Sequence, residues 1–345
     1  MENKRLSFLS DYACGAHPEV LRALVETNGE HGGVYGLDLH SETARALIRE
    51  ACAAPEAEIH FLAGGTQTNA VLLDAVLAPY QGAVAADCGH IGGHEAGAIE
   101  RGGHKVLALP HENGKLAAAA LRAYLTAFYA DENHDHMIFP GLVYLSHPSE
   151  FGTCYTKAEL TAIRAVCDEY GLFLYLDGAR LAYALARAHN DVTLPDLARL
   201  CDAFYIGGNK CGALFGEALV IPRPGRIPHL FTTVKQHGAL LAKGRVLGVQ
   251  FEALFRDGLY LRLGKPAMEA GDALRALFRE KGYEMPMVND TNQVFVLMEN
   301  EKLGALRETV DLGFWERADE TRTVVRFTAD WGADPRDVGA LAALL

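Results

Sequence analysis

Lys210 lies in the run Gly207-Gly208-Asn209-Lys210-Cys211-Gly212. Glycines leave the backbone open to close approach by something large. A primary amine held there can form an imine with an aldehyde; the plain alternative is a flexible loop lysine. Upstream, Leu176-Asp177-Gly178-Ala179-Arg180 ends an apolar run in a carboxylate. A carboxylate at a buried strand end is costly without a cationic partner. A protonated ring nitrogen would meet that need, and so would an Asp177–Arg180 ion pair. Gly64-Gly65-Thr66-Gln67-Thr68-Asn69 stands between an apolar run and a helix-like stretch, 70–77. The free N–H groups and positive dipole end of a helix start suit a phosphate, although a threonine-capped turn has the same composition. In Asp87-Cys88-Gly89-His90-Ile91-Gly92-Gly93-His94-Glu95, an imidazole could stack on a flat ring. Cys88, His90, His94 and Glu95 are also ligand types, but their spacing matches no zinc signature, and no metal is expected.

These four segments must be held by a scaffold. Apolar runs at 59–63, 83–86, 105–109, 142–145, 173–176 and 203–206 read as buried strands. Helix-like stretches lie between them, at 115–127, 157–170 and 194–200. That alternation predicts an α/β fold with a mostly parallel sheet between helices. A seventh strand at 218–221 follows too closely for a helical crossover, so it is expected to pair antiparallel. The four chemical segments fall at successive strand ends, where open α/β sheets collect ligands. A phosphate turn, a stacking residue, a carboxylate for a pyridine nitrogen and a lysine are the partners that pyridoxal 5′-phosphate (PLP) needs.

Near residue 235 the pattern changes. Residues 238–255 read as one long helix and 267–281 as another; 293–298 and 323–328 read as strands, and 334–345 as a helix. The expected organisation is a large domain over 1–250 and a small α+β domain over 251–345, with the N-terminal segment packing on the small domain.

The 345 residues carry a net charge of −12. An acidic chain repels a phosphate backbone, which argues against nucleic acid as a partner. Seven scattered cysteines without a CxxC pair suit reduced thiols in the cytoplasm. Residues 1–11 have no apolar run of signal-peptide type, and no apolar stretch is long enough to span a membrane.

With these motifs in order, the sequence resembles the threonine aldolase/β-eliminating lyase family, whose fold is the aspartate-aminotransferase-like PLP fold type I. Ser10-Asp11, Gly33-Val34-Tyr35-Gly36, Gly65-Thr66 with Asn69, His90-Ile91 with Glu95, Asp177-Gly178-Ala179-Arg180, Lys210, and Val325-Arg326-Phe327 before Trp331-Gly332 all match its segments. The resemblance implies a seven-stranded sheet and PLP held covalently by Lys210. Gly65 and Thr66 would hold the phosphate, His90 would stack on the ring and Asp177 would face its nitrogen. Arg180, Arg326, Ser10 and Tyr35 would meet the substrate, with Arg180 also near the cofactor. Lys243 would reach the phosphate across a subunit boundary, in a homodimer or homotetramer with sites at the interface. Two positions depart from the family. Asn209 stands where Ser or Thr is frequent, and Ser146-His147-Pro148-Ser149-Glu150 replaces a Thr-His pair, as in the phenylserine-aldolase-like branch.

The implied activity is cleavage of the Cα–Cβ bond of a β-hydroxy-α-amino acid, of threonine, allo-threonine or phenylserine type, to glycine and an aldehyde. Lys210, His90, Asp177 and Glu150 would be catalytic, with His90 or Glu150 as the base. β-Elimination or transamination on the same scaffold, or a catalytically silent PLP-binding protein, are the alternatives.

Overall fold

The computed structural model describes residues 5–345. Its strands are β1 (Leu6–Phe8), β2 (Glu58–Leu62), β3 (Gln81–Ala86), β4 (Val106–Leu109), β5 (Phe139–Ser146), β6 (Phe173–Asp177), β7 (Ala203–Gly207), β8 (Glu217–Ile221), β9 (Gln293–Glu299), β10 (Val310–Arg317) and β11 (Arg322–Thr328). Seven of them form one sheet in the order β2-β8-β7-β6-β5-β3-β4. Only β8 runs antiparallel to its neighbours, as its short connection to β7 requires.

Both faces of this sheet are buried, so its central strands are apolar throughout rather than alternating. Every residue of β6, β7 and β8 is buried. Period-two geometry still sorts the side chains. Val143, Leu145, Leu174, Leu176, Phe204 and Ile206 pack into one core. Tyr144, Tyr175 and Tyr205 point the other way into a second core. Each large apolar side chain so buried contributes roughly 1.5–3 kcal/mol.

The second sheet has the order β1-β10-β11-β9. The N-terminal β1 pairs parallel with β10, Leu6 opposite Val310. A core of its own, including Phe278, Val296, Val325 and Phe327, lies against this sheet. Among the described residues, no helix is long and apolar enough to cross a membrane.

Two helical readings are corrected. The stretch 238–255 is not one helix. Helix Leu230–Gln236 ends before Gly238, which has φ +65°, and the next helix is Arg245–Phe255. The intervening loop packs on another segment: the Tyr35 N–H donates to the Ala242 carbonyl at 3.0 Å. A Cβ on Gly244 would stand 2.6 Å from Gly36 N. The helix read at 267–281 starts earlier, spanning Leu259–Glu280 with Pro266 inside. Strands β1 and β10 and helices Pro18–Glu26 and Leu39–Ala51 were not anticipated.

Candidate active site

The C-terminal ends of the parallel strands open into an inner cavity of about 250 Å3. Gly65 and Thr66 after β2, His90 after β3, Glu150 after β5, Asp177 and Arg180 at β6, and Lys210 after β7 all line it. An outer cavity of about 710 Å3 shares Tyr12, His90, Glu150, Arg180 and Lys210 with it, and adds Arg326, Phe151 and Trp315.

The lysine loop is built for close packing. A Cβ on Gly207 would lie 2.3 Å from the Ala179 carbonyl, and one on Gly208 2.6 Å from the Gly216 carbonyl. Only glycine permits that approach. The loop therefore sits hard against the Asp177–Arg180 turn. Tyr183 Oη donates to the Lys210 carbonyl at 2.5 Å. The Lys210 amine has no ion pair among the described residues; its Nζ stands 5.6 Å from the Tyr12 ring centre. Burial, then the nearby Arg180 charge, push its pKa down, toward the neutral, nucleophilic amine.

Asp177 is held from three directions. Tyr144 Oη donates to its Oδ2 at 2.7 Å, Asn69 Nδ2 at 3.1 Å, and Ala179 N donates to Oδ1 at 3.0 Å. Tyr175 Oη in turn donates to Asn69 Oδ1 at 2.8 Å. No cation pairs with Asp177 among the described residues, so the Asp177–Arg180 ion pair is not made. Arg180 pairs instead with buried Asp11, through Nε at 2.6 Å and Nη2 at 3.0 Å. The outer cavity thus receives Arg180 with one edge already committed.

His90 Nδ1 lies 2.7 Å from Glu95 Oε1. That contact orients the imidazole ring. Asn69 Nδ2 also donates to Glu95 Oε1, at 2.7 Å. Glu150 Oε1 accepts from Ser146 Oγ at 2.6 Å and from the His90 N–H at 2.8 Å. Burial raises the Glu150 pKa, against the pull of the Ser146 hydrogen bond. His147, its neighbour in sequence, does not face the cavities. It is fully buried, Tyr155 N donates to its Nδ1 at 3.2 Å, and burial brings its pKa down to about 4.

In the outer cavity, Arg326 Nη1 donates to Gln293 Oε1 at 3.0 Å. Its buried Nε has no partner. Burial and the facing Arg180 both depress its pKa, so an anion between the two guanidinium groups would relieve a like-charge contact. The Arg326 guanidinium stands 5.8 Å from the Trp315 ring centre. Trp315 lies at a register shift between Phe314 and Glu316 where β10 pairs with β11. A bulge of this kind re-aims a side chain. Trp315 packs edge-on to Phe295 at 4.8 Å and to Phe151 at 5.9 Å.

Three expected residues lie elsewhere in the chain. Ser10 is buried, with its Oγ 3.4 Å from the Tyr12 N–H, and lines neither cavity. Tyr35 lines a separate cavity of about 280 Å3, with Lys235 Nζ 4.6 Å from its ring centre. Lys243 is exposed on the adjoining loop. The ligand types Cys88, His90, His94 and Glu95 are not gathered around one point. Asp87, Cys88 and His111 are the set whose ligand atoms fall within 4.8 Å of one another.

Glu217 was not anticipated. It opens β8 opposite Gly207, is buried, and lines the inner cavity. Its Oε2 accepts from Gly208 N at 2.9 Å, and burial pushes its pKa up to about 8. The one available signal was a charge at the start of an otherwise apolar run.

The family model described as "Beta-eliminating lyase" matches residues 7–301. The chain belongs to the threonine aldolase/β-eliminating lyase family. A low specificity L-threonine aldolase of Pseudomonas sp. (strain NCIMB 10558) is 30% identical over 311 residues, covering 89% of this chain and 88% of that protein. The solved structure of Leishmania major threonine aldolase is 39% identical, with a TM-score of 0.94 and 98% of each chain covered. A putative L-allo-threonine aldolase from Listeria monocytogenes is 17% identical, with a TM-score of 0.78 over 100% of this chain and 96% of that one; at that identity the likeness is of fold. The architecture is the aspartate-aminotransferase-like fold type I that the family shares.

Proposed function

We propose that this β-eliminating-lyase family member is a PLP-dependent aldehyde-lyase that cleaves the Cα–Cβ bond of a β-hydroxy-α-amino acid, releasing glycine and an aldehyde. The observation that carries the reading is Lys210: a half-buried amine without an ion pair among the described residues, in one cavity with Asp177 and the Gly65-Thr66 turn. These residues fit the cofactor. The helix Gly65–Val76 has no side-chain cap at Gly64, which leaves its first N–H groups for a phosphate. A Cβ on Gly65 would come 2.9 Å from Tyr205 Oη, closing the space that the glycine keeps open. Lys210 would be the amine that bonds the cofactor covalently, Asp177 would meet the ring nitrogen, and His90 would cover the ring. Bound PLP supplies an electron sink for the pair left at Cα when the bond breaks.

The remaining work falls to side chains. Arg326 and the uncommitted edge of Arg180 hold the substrate carboxylate between two cations. Glu150 takes the β-hydroxyl proton. Its Oε1 is anchored by Ser146 and the His90 N–H, and burial raises its pKa, which makes it a stronger base than an exposed carboxylate. The C–O bond becomes the aldehyde carbonyl, the Cα–Cβ pair stays at Cα, and a proton delivered there completes glycine.

Tyr35 and Lys243, remote from their own chain's cavity, serve the cavity of a second copy. Exposed Val34, Leu37 and Leu39 beside Tyr35 support that contact, and Ser10 acts by positioning Tyr12. Division of the chain near residue 250 into two domains is supported by the separate core under the four-stranded sheet. Seven free thiols support a cytoplasmic location. The test is a product assay with threonine, allo-threonine, phenylserine and serine. Glycine plus an aldehyde is the expected result. Ammonia with a keto acid, or pyridoxamine phosphate, would assign β-elimination or transamination instead.

A further inference from the structure

Glu217 has no place in the chemistry above, yet it lies inside the cavity that the chemistry uses. Its position follows from the sheet. β8 starts opposite both Leu62 and Gly207, so its first side chain falls between the Gly65-Thr66 turn and the Lys210 loop. Glu217 Oε2 is tied to Gly208 N at 2.9 Å. Its Oε1 lies 3.9 Å from where a Cβ of Gly65 would be, beside the first N–H groups of the helix Gly65–Val76. Among the described residues, no cation is in salt-bridge contact with Glu217, and no side-chain donor holds Oε1.

A carboxylate is the wrong charge beside a phosphate cradle, since like charges in a poorly solvated site repel strongly. A carboxylic acid is suited to it, because its O–H donates. We propose that Glu217 is a ligand of the cofactor's phosphate that works as a neutral acid, its O–H donating to a phosphate oxygen, so that the grip on phosphate weakens as Glu217 ionises. The inference rests on PLP being the cofactor.

The surroundings favour the acid form. Burial is the main cause and Asp177 adds to it, while Gly208 N and Lys210 oppose it. The other titratable groups facing it are Tyr205 on β7, Tyr175 on β6, Cys211 in the lysine loop and Tyr260 on the helix Leu259–Glu280. Burial raises the pKa of each, so they stay neutral when Glu217 titrates. The phosphate itself is fully ionised by then, its second pKa being about 6.

The test is the equilibrium affinity of the cofactor-free protein for PLP and for pyridoxal, which lacks the phosphate, from pH 7 to 10. Titration of the Lys210 amine and of the ring affects both compounds and all variants, so it cancels in the comparison. Wild type should lose PLP affinity relative to Glu217→Gln by roughly tenfold per pH unit above about pH 8, as expected for one linked proton. Glutamine keeps a donor but cannot ionise. Pyridoxal should show no such difference between the two proteins. Identical pH profiles of wild type and Glu217→Gln for PLP overturn the proposal. So does an equal difference for pyridoxal, which would place the effect at the lysine. If wild type binds neither compound, the cofactor reading falls first and this inference with it. A second measurement needs no variant. Inorganic phosphate should raise the melting temperature of the cofactor-free wild type less at pH 9.5 than at pH 8, and an equal shift at both contradicts the proposal.

Discussion

Asp177 and Glu217 are both buried carboxyl groups in the wall of one cavity, and the chain treats them oppositely. Asp177 receives three donors, from Tyr144, Asn69 and Ala179, and Asn69 is itself held by Tyr175. Glu217 accepts one hydrogen bond among the described residues, from Gly208 N in the lysine loop, and burial drives it toward the neutral acid. One end of the cavity is therefore finished by the protein, with a fixed carboxylate for a cationic ring nitrogen. The other end, with Lys210 and Glu217, is left incomplete. A half-buried amine and a buried acid without ion-pair partners cost stability, and a ligand with an aldehyde and a phosphate would satisfy both.

The largest expected effect comes from emptying the incomplete end. Lys210→Ala should lower turnover by roughly 10^4-fold or more, the scale seen when a residue of a cooperating catalytic set is removed. Steady-state assay of glycine release checks it. At the finished end, Asp177→Ala should keep much of the cofactor affinity and lower kcat by about a hundredfold to a thousandfold, the scale for removing one electrostatic stabiliser. Unchanged kcat would erase the distinction between the two ends. Glu150→Gln should lower kcat on threonine and phenylserine alike by roughly 10^2–10^4-fold, the range for a general base. A rise in KM alone would make Glu150 a binding residue.

Two smaller effects sharpen the picture. Trp315→Ala should lower kcat/KM for phenylserine relative to threonine by about tenfold, at the low end of what an apolar pocket contact provides. The ratio of the two specificity constants reads it. Glu217→Gln should stabilise the cofactor-free protein by on the order of 1–3 kcal/mol at pH 9. A carboxyl whose folded pKa is raised, here to about 8, favours folding below its unfolded pKa and loses that stability as pH rises through the folded value. The gain of the variant should accordingly be absent near pH 4, grow through pH 8 and then level off. Thermal melts at several pH values check the sign.

The seven strands of the large sheet were legible because each is a short apolar run ended by glycine, proline, serine or a charge. The segments at their ends were legible because they are local in sequence. What escaped depended on contacts between distant segments. Strand β10 reads Val-Asp-Leu-Gly-Phe-Trp-Glu-Arg, without a continuous apolar run, and its bulge at Trp315 exists only against β11. The glycines near residue 240 play different parts that the sequence does not distinguish. Gly238 ends a helix, whereas Gly248 lies within one, where a Cβ would meet Ser41 Oγ at 2.2 Å. Gly248 is a contact point between helices rather than a breaker. The Arg180–Asp11 pair joins residues 169 positions apart, and nothing in either motif announces it. Tyr35 matched a family segment and Lys243 was implied by the resemblance, but one chain does not bring them to its own cavity.

The central claim is that Lys210 is the amine that bonds the cofactor. Reduction of the PLP-loaded protein with borohydride, followed by digestion and peptide mass mapping, tests it directly. A phosphopyridoxyl group on Lys210 alone is the predicted result. The label on another lysine, or no label after loading, would contradict the account.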